Sequence, residues 1–389
     1  MIDKDIDSIV ESDLQFLVDN EVGEKKSLEY KSTVSISTDS EKKEFLADIS
    51  SFANSSGGDL IIGISESRES EKPYELTGLE IGDVDKYISI IENTIRDGIK
   101  PRIFGLSIRS ILLQNGKHAI FIRVPNSWTS PHRVEYKGHD KFYRRNSNGK
   151  YPMDVDELRI AFSQSESIDR SIKEFLEQRV DQIYSGKTPI PIIPTCKVIL
   201  HLLPISAFKS NPIFDIKSMD QYKIDLKPML SGGWNCQYSI EGYIAYSREG
   251  SYTLVFRNGI IEAVTTDILS PRNGNYLIPS ALFERMILES FQNYISLYTK
   301  LNFPTPIFIE LSIVGIKNYF LATSEGMFWG NQIPYSRELL TLASGKLEKT
   351  NLNILEICQV FRPIFDSLWN AFGYKESPNF STDGNWIRK

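Results

Sequence analysis

From residue 9 onward, apolar residues recur at helical and strand spacings in alternating stretches. Ile9 to Val18 predicts a first helix, and Ser27-Leu28-Glu29-Tyr30-Lys31 a short strand. Ser40 is a candidate cap for a second helix, in which Phe45, Leu46, Ile49, Phe52 and Ala53 fall on one face that must be core. Asn54-Ser55-Ser56-Gly57-Gly58 breaks that helix, and Asp59-Leu60-Ile61-Ile62-Gly63-Ile64 reads as a buried strand. A helix from Val84 to Ile95 follows, then strands around Ile103–Leu113 and His118–Val124 joined at Asn115-Gly116, the pair most favoured in tight hairpins. Asp154 and Glu157 have capping-box spacing, and Ile168, Ile172, Phe175, Leu176, Val180 and Ile183 trace a long amphipathic helix.

Prolines 189, 191 and 194 exclude a helix over 185–195 and favour an extended connector. The domains expected on this basis are residues 1–184, a linker 185–195 and residues 196–389. Beyond the linker, Lys197–Leu203 predicts a strand, and Tyr238–Tyr246, Tyr252–Arg257 and Ile260–Thr266 an antiparallel meander. A helix over Ser280–Leu301, strands at Ile307–Val314 and Tyr319–Thr323, and a helix within Asn353–Phe372 complete an α+β second domain.

At 389 residues, 41% hydrophobic and 24% charged, the chain has room for two cores and is neither disordered nor collagenous. Cys196, Cys236 and Cys358 are too scattered for a disulfide framework or a cysteine-rich zinc site. An acidic N-terminus without an apolar run, and the absence of an apolar stretch of about 20 residues, point to a cytoplasmic protein with no membrane partner.

The net charge of −6 conceals an asymmetry. Residues 1–100 carry a net −12, whereas residues 101–150 carry ten basic and two acidic side chains, a net +8. Arg133, Lys137, Lys141, Arg144 and Arg145 lie in that strip among Trp128, Tyr136, Phe142 and Tyr143. Cations contact phosphates and rings stack bases, so the strip is a candidate nucleic-acid footprint; the alternative is a β-ribbon with a solvated basic face.

Several common sites are absent. There is no phosphate loop, so no ATP site is expected, and neither a nucleophile elbow nor a His-Glu-x-x-His helix occurs. What stands out is carboxylates around the first strand. Glu29 and Lys31, two apart in an extended segment, share a face while Tyr30 points the other way. Glu24 lies five residues upstream and Glu66 just beyond the buried strand. Mg²⁺ or Mn²⁺ held there could activate water against a phosphodiester, with Lys31 steadying the developing charge. On spacing alone, an exposed Glu29–Lys31 pair with Glu24 and Glu66 as loop acids is the competing account.

Glu24-Lys25-Lys26-Ser27-Leu28-Glu29-Tyr30-Lys31 followed by Phe45-Leu46-Ala47-Asp48-Ile49-Ser50-Ser51-Phe52-Ala53-Asn54-Ser55-Ser56-Gly57-Gly58-Asp59-Leu60-Ile61-Ile62-Gly63-Ile64 resembles the signature of the Schlafen AlbA-type domain. Thr77-Gly78, Ile99-Lys100-Pro101, Val124-Pro125 and Phe142-Tyr143-Arg144-Arg145-Asn146-Ser147 continue the resemblance in order, over about residues 20–165. It implies a nucleic-acid-binding fold of mixed α/β type, in a chain of prokaryotic type. Vertebrate Schlafen relatives include metal-dependent endonucleases of tRNA and rRNA with three acidic residues; by position these are Glu24, Glu29 and either Glu66 or Asp59.

The expectation is therefore an N-terminal Schlafen AlbA-like domain with a mixed sheet and packed helices, followed by an α+β domain with an antiparallel meander. Its expected activity is binding of nucleic acid, RNA favoured over DNA, with metal-dependent endoribonuclease activity carried by Glu24, Glu29, Glu66 and Lys31 as the sharper reading. The alternatives are a non-catalytic DNA-binding transcriptional regulator and a defence or signalling adaptor. A homo-oligomer is compatible with the sequence.

Overall fold

The computed structural model of the chain describes all residues except 1, 3, 5, 35, 37, 67–71, 194, 209–213, 249, 270–275, 323–333 and 388–389. The chain forms two compact units, Met1–Ser167 and Ile168–Lys389.

In the first unit, strands β1 (Leu28–Lys31), β2 (Gly58–Ile62), β3 (Ile64–Glu66), β4 (Pro73–Leu76), β5 (Ile99–Lys100), β6 (Ser107–Leu112), β7 (His118–Val124), β8 (Arg133–Tyr136), β9 (His139–Asn146) and β10 (Gly149–Pro152) accompany helices α1 (Glu11–Asp19), α2 (Asp39–Ala53) and α3 (Val84–Gly98). A four-stranded sheet runs β1-β2-β7-β6, with β1 and β2 parallel and the rest antiparallel; β10-β9-β8-β5 form a second sheet and β3-β4 a pair.

Alternation along the first sheet builds two cores. Leu60, Ile62, Ile120 and Ile122 pack with Phe45, Leu46, Ile49 and Phe52 of α2 and Ile91 and Ile95 of α3. On the other face Tyr30, Ile61 and Phe121 pack with Leu14 and Leu17 of α1. The cap of α2 is Thr38 rather than Ser40: Glu41 N–H donates to Thr38 Oγ1 at 3.3 Å and Thr38 N–H to Glu41 Oε2 at 3.0 Å. This box places the helix start two residues earlier than Ser40 would.

Helix α4 (Val155–Tyr184) starts in the first unit, with the expected reciprocal box between Asp154 and Glu157. The unit division falls inside this helix. Its later apolar residues Val180 and Ile183, together with Ile190 of the expected linker, pack against Ile199, Ile244, Leu254, Val264 and Val314. Ile190 of the expected linker is thus buried in the core of the second unit.

The second unit holds β11 (Lys197–Pro204), β12 (Asn235–Tyr238), β13 (Gly242–Tyr246), β14 (Tyr252–Phe256), β15 (Ile261–Thr265), β16 (Leu277–Pro279), β17 (Ile307–Val314), β18 (Phe320–Ala322), β19 (Leu339–Thr341) and β20 (Gly345–Leu347), with α5 (Ser280–Lys300) and α6 (Ile354–Ala371). The sheet order is β12-β13-β14-β15-β11-β17-β19, with β20 also paired to β17, while β16 and β18 pair separately. The stretch Tyr238–Tyr246 divides between β12 and β13 at a tight turn, where Ser239 N–H donates to Gly242 O at 2.7 Å. One sheet face packs on α5 and α6 through Leu200, Leu311, Phe291 and Phe361. Glu284 is buried in α5 and accepts four bonds of 2.8 Å from Trp369, Ser377, Asn379 and Trp386, which ties the C-terminal segment to the core. No described helix is long and apolar enough to cross a membrane.

Candidate functional site

The Asn54–Gly58 turn has a structural purpose at the junction of α2 with β8 and β9. Gly57 sits at φ +72°, and a Cβ there would lie 2.6 Å from Asn126 N; at Gly58 a Cβ would lie 2.3 Å from the Phe52 ring. The turn thus admits only glycine at both positions without rearrangement. Asn54 Oδ1 accepts from His132 N–H at 2.6 Å, and its Nδ2 donates to the carbonyls of His132 and Tyr143 at 2.8 Å each. Ser55 Oγ accepts from Arg145 N–H at 2.9 Å. These bonds clasp β9 to the end of α2 and turn the Arg145 side chain inward.

Arg145 is only 3% exposed. Its guanidinium stacks 4.1 Å from the Phe52 ring centroid, donates to Glu29 Oε2, and approaches Asp48 Oδ1 at 4.0 Å. Glu29, 6% exposed, receives Lys31 Nζ on its other oxygen at 2.7 Å. Asp48 is bound by Lys150 Nζ at 2.6 Å, and Lys150 also reaches Glu44 at 2.5 Å. Burial pushes the Glu29 carboxyl up, yet Arg145 and then Lys31 outweigh it and hold it below the ordinary value. Asp48 is pushed up to about 6, first by burial and next by Glu29.

Glu29 and Lys31 do share a face, opposite Tyr30, as their spacing requires. Glu24 tucks its carboxylate against the Tyr30 N–H, which donates at 2.9 Å; burial and Glu29 raise its pKa. Glu24 and Glu66 both raise the pKa of the Tyr30 hydroxyl, after burial. Among the described residues no three His, Cys, Asp or Glu side chains are grouped so that they could hold a metal ion. Glu29 is paired with two cations, Lys31 and Arg145. Asp59, the other candidate third acid, is fully buried and accepts from Arg123 at 2.8 and 3.1 Å and from Ile2 N–H at 2.7 Å. It holds the N-terminal arm.

The basic strip is divided by the fold. Arg145 is internal; Arg144 lies 3.8 Å from Glu157, and Arg133 pairs with Glu135 and Asp140. Lys137 and Lys141 are exposed on the β8–β9 hairpin, Lys137 reaching Asp39 at 2.8 Å while Lys141 makes no ion pair among the described residues. Lys42 of α2 and Lys137 each stand 5.9 Å from the Tyr136 ring centroid. Beside them His139 and Tyr143 stack at 5.9 Å with a 2.8 Å hydrogen bond. Burial, then Lys141 and Lys43, lower the His139 pKa. The hairpin and the start of α2 therefore make one surface of cations around two aromatic platforms. Lys42 and Lys43 are hard to single out in the sequence because they sit in the acidic part of the chain.

No curated protein matches the chain. Among solved structures, one similar chain is the N-terminal domain of a putative ATP-dependent DNA helicase RecG-related protein from Nitrosomonas europaea, determined in solution by NMR. It is 16% identical, covers 36% of this chain and 88% of its own, and has a TM-score of 0.27. The family comparison matches residues 24–154, the span containing the clasp, the buried ion network and the basic hairpin. That span is a domain of the Schlafen AlbA_2 family.

Proposed function

We propose that the Schlafen AlbA_2 domain binds nucleic acid, single-stranded RNA foremost, on the β8–β9 hairpin and the start of α2. The observation that supports this reading is the Tyr136 ring with Lys42 and Lys137 5.9 Å from its centroid, next to the stacked His139–Tyr143 pair. Rings in a cationic surface take the faces of unpaired bases while ammonium groups track the phosphates, an arrangement suited to single strands. Lys43 and Lys141 extend the phosphate track. The buried network of Glu29, Lys31, Asp48, Arg145 and Lys150 is the support that fixes the hairpin, and binding without cleavage is the function it favours.

Fluorescence anisotropy with labelled single-stranded RNA, single-stranded DNA and duplexes tests this. RNA should bind tightest, and Lys137→Glu with Lys141→Glu should weaken every ligand. A double variant that binds RNA as tightly as the parent would defeat the assignment.

A further inference from the structure

Strand β17 alternates strictly. Ile307, Ile309, Leu311 and Ile313 belong to the core with α5 and α6, whereas Val314 packs on the opposite face with Val180 and Ile183 of α4. Glu310 and Ser312 share that second face by their spacing. Register across β15, β11 and β17 puts Glu262, His201 and Glu310 in one row. The Glu262 end is fully satisfied, by Arg179 at 2.7 and 2.9 Å, Tyr252 at 2.8 Å and His201 at 2.9 Å.

The Glu310 end is not. Its carboxylate accepts from Ser344 Oγ, and among the described residues no lysine or arginine pairs with it. Ser312 is 5% exposed, yet among the described residues its hydroxyl makes no hydrogen bond while lining a cavity of about 510 Å³. That cavity is bounded by Glu310, Ser312, Thr341 and Ser344 from the sheet side and by Lys173, Glu177 and Asp181 of α4, with Leu176, Val180 and Leu339 as apolar wall. Three carboxylates without ion pairs among the described residues face one ammonium.

We propose that this cavity binds a small organic cation, an ammonium or guanidinium on a short aliphatic stem, with Glu310 as its charge partner and the Ser312 hydroxyl as an acceptor. The volume lies in the range of about 300–1,000 Å³ usual for small-molecule sites. Burial raises the Glu310 pKa, a cost of desolvation that an arriving cation offsets. Glu177 and Asp181, on the exposed side of α4, add attraction at the mouth, and the leucine and valine wall takes the stem.

Isothermal titration of the full chain with agmatine, putrescine and spermidine, and with glutarate as the anionic counterpart, tests the proposal. At least one cation should bind and glutarate should not; agmatine above putrescine assigns a guanidinium, the reverse an ammonium. Glu310→Gln should weaken binding about tenfold or more and Ser312→Ala about fivefold, with thermal melting recording that each variant is folded. Should Glu310→Gln fail to fold, Glu177→Gln with Asp181→Asn on the exposed side carries the test, with about a threefold loss expected. Absence of binding by all three cations, equal binding of glutarate, or unchanged affinity in the folded variants overturns the proposal.

Discussion

Arg145 of β9 donates to Glu29 of β1 across 116 residues of sequence, in an interior where both side chains are almost completely shielded from water. A buried ion pair contributes little against an apolar replacement of both partners, but removing one partner leaves the other uncompensated. Glu29→Gln should therefore destabilise the first unit by about 3–5 kcal/mol, read from denaturant unfolding, and Glu29→Leu with Arg145→Met should recover much of that loss. Additive losses in the double variant would mean the two residues do not act on each other.

The same pair bears on cleavage. With Glu29 balanced by Lys31 and Arg145, incubation of purified protein with tRNA, rRNA or DNA and Mg²⁺ or Mn²⁺ should leave the substrates intact. Cleavage that disappears in a folded Glu29→Gln variant would instead support the metal-centred reading of Glu24, Glu29 and Glu66.

On the hairpin surface, stacking and charge separate cleanly. Tyr136→Ala should cost about 1–3 kcal/mol of affinity for single-stranded RNA with the salt dependence unchanged. Lys141→Glu should weaken binding irrespective of sequence and lower the slope of log affinity against log salt by roughly 0.7 for each phosphate it no longer neutralises. Equal slopes for parent and Lys141→Glu would remove that lysine from the interface.

In the second unit, Glu262 is held down to about 2, since the bonds from Arg179 and His201 outweigh its burial. A carboxyl depressed on folding contributes stability that is complete above its unfolded value near 4.5 and is lost as pH falls toward 2. The loss across that window should be about 3 kcal/mol, and Glu262→Gln should abolish it while destabilising the unit at neutral pH. A variant with the parent's acid profile would contradict the assignment.

His132 behaves in the same direction for a different reason. Its ring is buried, with Nδ1 2.7 Å from Pro101 O and Nε2 without a partner, and burial lowers its pKa to about 4. Because the unfolded imidazole takes up a proton near 6.5 and the folded one does not, stability should fall as pH drops from 6.5 to 4. Asp48, raised to about 6, works oppositely over about 4–6, so the parent should show a shallow profile there and His132→Gln a stability that rises toward acid. Chemical denaturation at several pH values reads both.

Local periodicity was sufficient for most elements. The α2 stripe and the Asn115-Gly116 hairpin lie where the spacing puts them, whereas the run expected as one strand over Asp59–Ile64 is broken at Gly63, at φ +105°, into β2 and β3. The sites were less legible. Arg145 looks like its neighbours Arg144 and Lys141 in sequence, and only the pairing with Glu29 and the clasp from Asn54 and Ser55 distinguish an internal cation from a surface one. Asp48 was similarly hidden, as an acid within an apolar helix stretch whose partner Lys150 lies 102 residues later. The Glu24–Glu29–Glu66 grouping rests on proximity in the chain; Glu24 senses Glu29, and Glu24 and Glu66 both act on the Tyr30 hydroxyl.

The division inside α4 has a consequence for the order in which the chain matures on the ribosome. Every strand of the first unit has left the exit tunnel before the later turns of α4 find their cover, since Arg179 precedes its partner Glu262 by 83 residues. At roughly 5–20 residues per second, that interval is on the order of 4–16 s. During it the Arg179 guanidinium, destined for the interior, stays hydrated, so the charge network of the second unit closes only once β15 has been made.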